Sequence, residues 1–296
     1  MLRARGPWLQ AAARFRRRPI GIAALLITIA FVVVAVFAPR LAPYPGQELF
    51  FKFLNDPQAP SLHGGHLLGT DLLGHDELTQ MLWAVRETVL GALGCAVAAT
   101  VIGVPVGAIA GYFGGPLDAA IQWLTSLFVT IPALVILIMV VAFEAPVPLW
   151  AFPATLALYL WIHVARATRG AFMALRHREF IDAAEAAGAS GSRIVFRHLL
   201  PNTIGTLLVA ATAVVGQSTV IIATATFFGY GNQQSDRPTL GGLLSNAASG
   251  TQLAVISYPA VPWWLWVIPA VALALFIVSV YFLADTLDEV LQPVRR

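Results

Sequence analysis

The sequence predicts an all-α polytopic membrane protein with six transmembrane helices. Three observations predict it: a composition too poor in charge for water, six apolar stretches of helix length, and arginines confined to alternate connecting segments. Of 296 residues, 58% are hydrophobic and 11% charged, and the mean hydropathy is +0.77. A soluble domain is about a quarter charged. So little charge cannot cover a water-facing surface of this size, and the bilayer is the natural solvent for the excess.

The apolar stretches run over 20–38, 90–111, 121–142, 150–164, 203–228 and 263–283. A helix needs about 20 residues to cross the hydrocarbon core. The fourth is short and could extend toward Pro148 or Thr168. A barrel would show strands of about 10 residues with alternating polarity; residues 133–142 do not alternate. The first stretch follows Arg14, Arg16, Arg17 and Arg18 and runs directly into Pro39 and Arg40. It is longer than a signal-peptide core, so it reads as a retained helix. The chain then divides into a tail and first helix (1–40), an external segment (41–85) and a five-helix core (86–296) with a cytoplasmic loop at about 165–202.

Orientation comes from the arginines. Six precede the first helix: Arg3, Arg5, Arg14, Arg16, Arg17 and Arg18. Six more, Arg166, Arg169, Arg176, Arg178, Arg193 and Arg197, lie between helices four and five, and Arg295 and Arg296 end the chain. The alternate segments hold only Arg40, Lys52, Arg86 and Arg237. Six crossings put every arginine-rich segment, and both termini, on the cytoplasmic side of the membrane. The basic N-terminus is a topology signal, not a nucleic-acid contact.

Between the first two spans, proline and glycine punctuation leads into Gly69-Thr70-Asp71, and from Asp76 the chain reads as helical. The second span carries Ala99, Gly103, Gly107 and Gly111 at steps of four, a groove for close helix approach. Pro105 predicts a kink there, and Gly114-Gly115-Pro116 a tight turn. Cys95, the single cysteine, reads as a small packing residue. Along the fifth span, Thr212, Gly216, Thr219, Ala223 and Thr226 form a small, partly polar stripe with Gln217 and Ser218 beside it. Helix packing is the first reading of that stripe, and a wall of a solute path the second. Residues 229–262 read as a long polar external loop ending in a belt of Trp263, Trp264 and Trp266.

The loop between helices four and five is the most informative segment. Residues 179–188, EFIDAAEAAG, predict a short alanine-rich helix closed by Gly188. A new helix can start at Ser190 or Ser192, and Pro201 marks entry to the membrane. A helix this short is marginal in water. It can seat in a partner's groove or lie on the membrane surface.

Asp182-Ala183-Ala184, Gly188 and Leu200-Pro201 fall in the frame of the cytoplasmic signature of permease subunits of ATP-binding-cassette importers, and the chain resembles that family. Arg197-His198-Leu199-Leu200-Pro201-Asn202 resembles the ending usual in its dipeptide and oligopeptide branch. Leu41-Ala42-Pro43-Tyr44, Gly69-Thr70-Asp71, Gly74-His75-Asp76, Gly111-Tyr112-Phe113-Gly114-Gly115 and Asp118 resemble further elements of its C-type permease. His75 stands for the family's arginine, and Trp123 and Ser126 stand where Arg and Asp are common. Residues 224–231 resemble a changed form of the family's Leu-Ser-Phe-Leu-Gly-Leu-Gly run. These departures bear on the solute and leave the loop frame intact.

The resemblance implies a type I importer permease fold with a cytoplasmic coupling helix. Asp182, Ala183, Ala184, Ala187 and Gly188 would couple to an ATPase. The partners implied are a second homologous permease, two ATPase subunits that bind ATP and Mg, an external substrate-binding protein, and the lipid membrane; no nucleic acid is implied. Thr212, Gly216, Gln217, Thr219 and Thr226 are candidates for the solute path. A phosphate-binding loop needs a lysine, and the lone Lys52 sits in an external segment, so no cofactor is expected in this chain and it is not itself an ATPase. The alternative is a secondary transporter or channel. Such carriers hold ionisable groups within their spans; here His163 and Glu144 are placed only near span ends. His63, His66, His75 and Asp76 could be imagined around a metal, but a structural role is favoured and no metal site is assigned.

Overall fold

The computed structural model describes residues 7–44, 57–62, 65–71, 74–132, 135, 151–229, 237–257 and 261–291. Among them the chain is helical: α1 (Pro7–Phe15), α2 (Pro19–Leu41), α3 (Glu77–Phe113), α4 (Gly115–Thr130), α5 (Ala151–Arg176), α6 (Glu179–Ala186), α7 (Gly191–Phe227), α8 (Leu240–Ser257) and α9 (Trp264–Leu291). One isolated bridge, Thr70 to Asp76, is the β structure among the described residues. Four helices, α2, α3, α7 and α9, are long and apolar enough to cross a membrane.

The third expected span is seen only in part. α4 ends at Thr130, and residues 136–150, with Glu144, lie outside the described residues. The fourth is longer than its apolar stretch, because α5 continues through Arg166 and Arg169 to Arg176. Arg169 is held there by Asp118 of α4 in a bidentate pair at 2.5 and 2.6 Å, so a charge that hydropathy scores against a helix is neutralised in place. His163 is accordingly exposed in mid-helix and not at a helix end.

α3 is the hub. It packs on α5, α7 and α2, while α9 packs on α7 and α2. At 37 residues it is about 55 Å long, well beyond the hydrocarbon thickness of about 30 Å. Its polar first turns therefore project past the apolar part. The glycines on α3 are used as predicted. A Cβ on Gly103 would lie 2.5 Å from the Trp161 carbonyl oxygen, and one on Gly107 2.3 Å from that of Ala165. On Gly111 it would lie 2.7 Å from the Phe172 Cβ. The helices thus touch backbone to backbone over three turns. The core around them is built of small buried residues, including Ala84, Ala92, Cys95, Ala96 and Ala99.

Prolines inside helices free a carbonyl one turn back. In α2, Pro39 leaves the Ala35 carbonyl without its helical donor, and Arg86 of α3 supplies one at 2.8 Å. At Pro201 the relief differs. The helix does not begin there: Val195–Leu199 forms a π turn inside α7, widening the coil just before the proline ring.

The expected loop 229–262 contains α8, which packs on α7 and α9. Gly241 makes this possible, since a Cβ there would fall 2.0 Å from the Ala223 carbonyl oxygen. Polar, glycine-rich composition masked a helix stabilised by tertiary packing. The tryptophan belt also divides. Trp263 and Trp266 are exposed, but Trp264 is buried and its indole N–H donates to the Thr70 carbonyl at 3.1 Å.

Candidate functional site

The loop after α5 folds onto the end of the molecule where α9 finishes: Gly205 packs on Leu291 there. α6 is eight residues long and too short to persist alone. It is seated by Ile181, which joins Phe172, Ile194 and Leu199 in a buried cluster flanked by Ala108 and Tyr112 of α3. Gly191 lies under the Tyr112 hydroxyl, where a Cβ would come within 2.8 Å. One buried side chain on one face leaves the other face free. Phe180, Asp182, Ala183, Glu185, Ala186, Ala187 and Gly188 are exposed, and Ala184 is half-buried.

The helix stops through a full Schellman motif. Gly188 has φ +78°, its N–H donates to the Glu185 carbonyl at 2.9 Å, and the Ala189 N–H donates to that of Ala184 at 3.0 Å. A Cβ on Gly188 would meet nothing within 4 Å, so the glycine serves the backbone turn and leaves the surface beyond it open. Ser190 caps the next helix by position, although its side chain makes no capping bond. The product is a small-residue protrusion, firmly seated, with Phe180 projecting beside alanines. Asp182 lies in the first turn, where a carboxylate complements the helix dipole.

The stripe on α7 divides between packing and exposure. Gly216 lies against the Tyr281 ring of α9, and Thr226 beside Gly241 of α8. Thr212, Thr219 and Thr226 donate to the carbonyls four residues back, while Ser218 reaches the Ala92 carbonyl of α3. Gln217 is half-buried, and its Oε1 has no hydrogen-bond partner among the described residues. A cleft of about 500 Å³, lined by residues including Arg166, Gly170, Asn202, Thr206 and Asp288, opens between α5, α7 and α9 near the loop end.

At the opposite end, the described residues from 57 to 76 and the first turn of α3 tie a knot whose bonds the sequence reading did not foresee. Asp76 caps α3 through the Thr79 N–H (2.8 Å) and hydroxyl (2.7 Å), and its other oxygen meets His66 Nδ1 at 2.9 Å. Asp71 takes His75 Nδ1 at 2.7 Å and the Gln80 amide at 2.9 Å. Burial raises the Asp71 pKa, but the His75 hydrogen bond and charge outweigh it and hold the carboxyl below its ordinary value. The His–Asp pairs thus close turns, and among the described residues no group of three potential ligands could hold a metal. Glu77 went unnoticed in the sequence. It is only 2% exposed, and its Oε1 has no hydrogen-bond partner among the described residues. It begins α3 ahead of the apolar stretch. Burial first, then the charges of Asp71 and Asp76, push its pKa from 4.5 up to about 8.

This architecture is that of an integral membrane transport component. The sequence profile described as "Binding-protein-dependent transport system inner membrane component" matches residues 103–294. That of the "N-terminal TM domain of oligopeptide transport permease C" matches 6–60. The chain belongs to the first of these families, and its N-terminal segment carries the second. It is 33% identical over 284 residues to the oligopeptide transport system permease protein OppC of Mycobacterium tuberculosis, covering 96% of this chain and 93% of the relative. It is 28% identical over 292 residues to OppC of Escherichia coli, covering 99% and 93%. The dipeptide transport system permease protein DppC of Alkalihalophilus pseudofirmus is 29% identical over 287 residues, covering 97% and 90%. Among solved structures, an inward-facing MetNI methionine ABC transporter has a chain that matches with TM-score 0.53 and 23% identity, covering 72% of this chain and 95% of that one. That likeness shows the fold.

Proposed function

We propose that the chain is a permease subunit of an ATP-driven importer of dipeptides, oligopeptides or similar small solutes. It pairs with a second, homologous permease and receives solute from an external binding protein. It is driven by two ATPase subunits, which bind ATP and Mg and do the hydrolysis. The observation that carries this reading is α6. A membrane protein has no structural need for an eight-residue helix seated by one side chain, with alanines and Phe180 presented outward. A partner groove is the use that such a surface has. Asp182, Ala183, Ala184, Ala187 and Gly188 would form the docked face.

In this reading α4 and α5 belong to the third and fourth of six crossings, and both termini and α6 lie in the cytoplasm of a bacterial cell. Residues 1–40, 41–85 and 86–296 are tail with first helix, external segment and core. Solute passes beside α7, near Thr212, Gly216, Gln217, Thr219 and Thr226. Gln217 has a carbonyl oxygen to offer a passing amide. No observation favours a secondary transporter or channel.

The test is reconstitution. The isolated chain is expected neither to bind nor to hydrolyse ATP. With its neighbouring permease, ATPases and binding protein in proteoliposomes, labelled di- and tripeptides should accumulate only with ATP inside the cytoplasmic-facing compartment. Stoichiometric ATP binding by the lone chain, or ATP-independent uptake, would overturn the proposal.

A further inference from the structure

The amino-terminal helix α1 has a use that the transport reading does not require. Only Arg16, Arg17 and Arg18 separate it from α2, whose central window has a mean hydropathy of 3.0. That turn is fully bonded: Arg16, Arg17 and Arg18 donate their N–H groups to the Ala12, Arg14 and Phe15 carbonyls. There is no slack, so α1 is held at the level where α2 enters the bilayer, and it packs on α9.

Two arginines do the holding. Arg14 donates to the Val290 carbonyl at 3.3 Å, and Arg18 pairs with Glu289 at 3.1 Å. Arg16 and Arg17 are exposed, and among the described residues no side-chain hydrogen bond or ion pair engages them. The first 20 residues contain no Asp or Glu. Leu9 and Ala13 of the helix and Arg16 just beyond it follow at steps of four and three, and Leu9 is 64% exposed. An apolar side chain at one end of a stripe and a pair of unspent guanidiniums at the other suit the boundary between acyl chains and phosphates. A nucleic acid would leave Leu9 in water.

We propose that α1 and the Arg16–Arg17 turn form a binding surface for the phosphate of an anionic lipid headgroup. The bound lipid fastens the N-terminal segment over the end of the last helix. Guanidinium forks match a phosphodiester in two-point geometry, and the net negative charge of phosphatidylglycerol is the complement to an acid-free segment.

The experiment titrates dioctanoyl phosphatidylglycerol, dioctanoyl phosphatidylcholine or inorganic phosphate into the purified full chain in neutral detergent. Binding is read by native mass spectrometry. Phosphatidylglycerol should bind, more weakly as salt rises, and the other two should not compete. Arg16→Gln with Arg17→Gln should weaken binding on the order of 30-fold. Arg16→Lys with Arg17→Lys, which keeps the charge but loses the forked geometry, should bind more weakly than wild type and more tightly than the Gln pair. The loop pair Arg193→Gln with Arg197→Gln should leave it unchanged. Equal binding by the Gln pair, equal loss in the loop pair, or equal affinity for inorganic phosphate would each overturn the proposal.

Discussion

Replacing Glu77 with glutamine should remove a pH dependence that this one carboxyl builds into the fold. In the folded chain its pKa stands at about 8, against 4.5 ordinarily. An unfolded chain gives up the proton between these values while the native chain keeps it. The native state therefore binds more protons across that window, and stability falls as pH rises through it. The contribution is intact below pH 4.5 and gone once pH passes about 8. At pH 7 the loss already reaches roughly 3 kcal/mol, taking about 1.4 kcal/mol per unit over the 2.5 units above 4.5. Glutamine stays neutral and escapes that loss, but its amide adds a donor to a site that already leaves Oε1 unpartnered, at a cost of about 1–3 kcal/mol. The net stability at pH 7 should thus change little, while the slope should change strongly. The assay is heat unfolding of the detergent-purified chain at pH 5, 6, 7 and 8. Wild type should lose stability steadily with pH, and Glu77→Gln should show a flatter profile. Parallel profiles would refute the assignment of the proton to Glu77.

Three further outcomes are expected. Gly188→Val strains a positive-φ turn by about 1–2 kcal/mol yet meets no neighbour within 4 Å; the permease should insert and pair normally but lose ATPase subunits and uptake, with Asp182→Lys weaker in the same direction. Normal assembly and uptake in Gly188→Val would reject the coupling role. Gly107→Ala drives a Cβ to 2.3 Å from the Ala165 carbonyl and should lower the unfolding midpoint by roughly 3–10 °C, whereas Gly94→Ala, with open space around it, should not. Reporters fused after Asn55 and Asn246 should be external and one after Arg176 cytoplasmic; Asn55 and Arg176 on one side would defeat the six-crossing arrangement.

Much of this was readable in the sequence because two signals are local. Apolar runs marked α2, α3, α7 and α9, since burial in lipid leaves no choice of side chain. Gly188 could be placed because a left-handed helix stop excludes most residues. The glycines at 103, 107 and 111 announced a close packing face, and α5 is the helix that fills it. What escaped depends on partners distant in the chain. α5 outruns its apolar stretch because Asp118 neutralises Arg169 from 51 residues away. α8 exists because Gly241 finds the Ala223 carbonyl. Trp264 left the expected belt for a carbonyl at Thr70. The π turn answers a steric demand of Pro201 that composition does not reveal. Glu77 escaped notice because only the fold places Asp71 and Asp76 around it.

The contact of α3 with α5 has a mechanical consequence. Helices that meet at three glycines in succession, with carbonyls seated where side chains would be, cannot slide along each other without lifting each glycine over an oxygen. The pair is a stiff beam. One end of α3 is capped by Asp76 in the His–Asp knot, and near the other Ala108 and Tyr112 support the cluster that seats α6. A displacement of α6 by a few ångströms is then not absorbed along the way. It arrives about 55 Å off, at the knot, so the flexible joints of any working cycle must lie outside this beam.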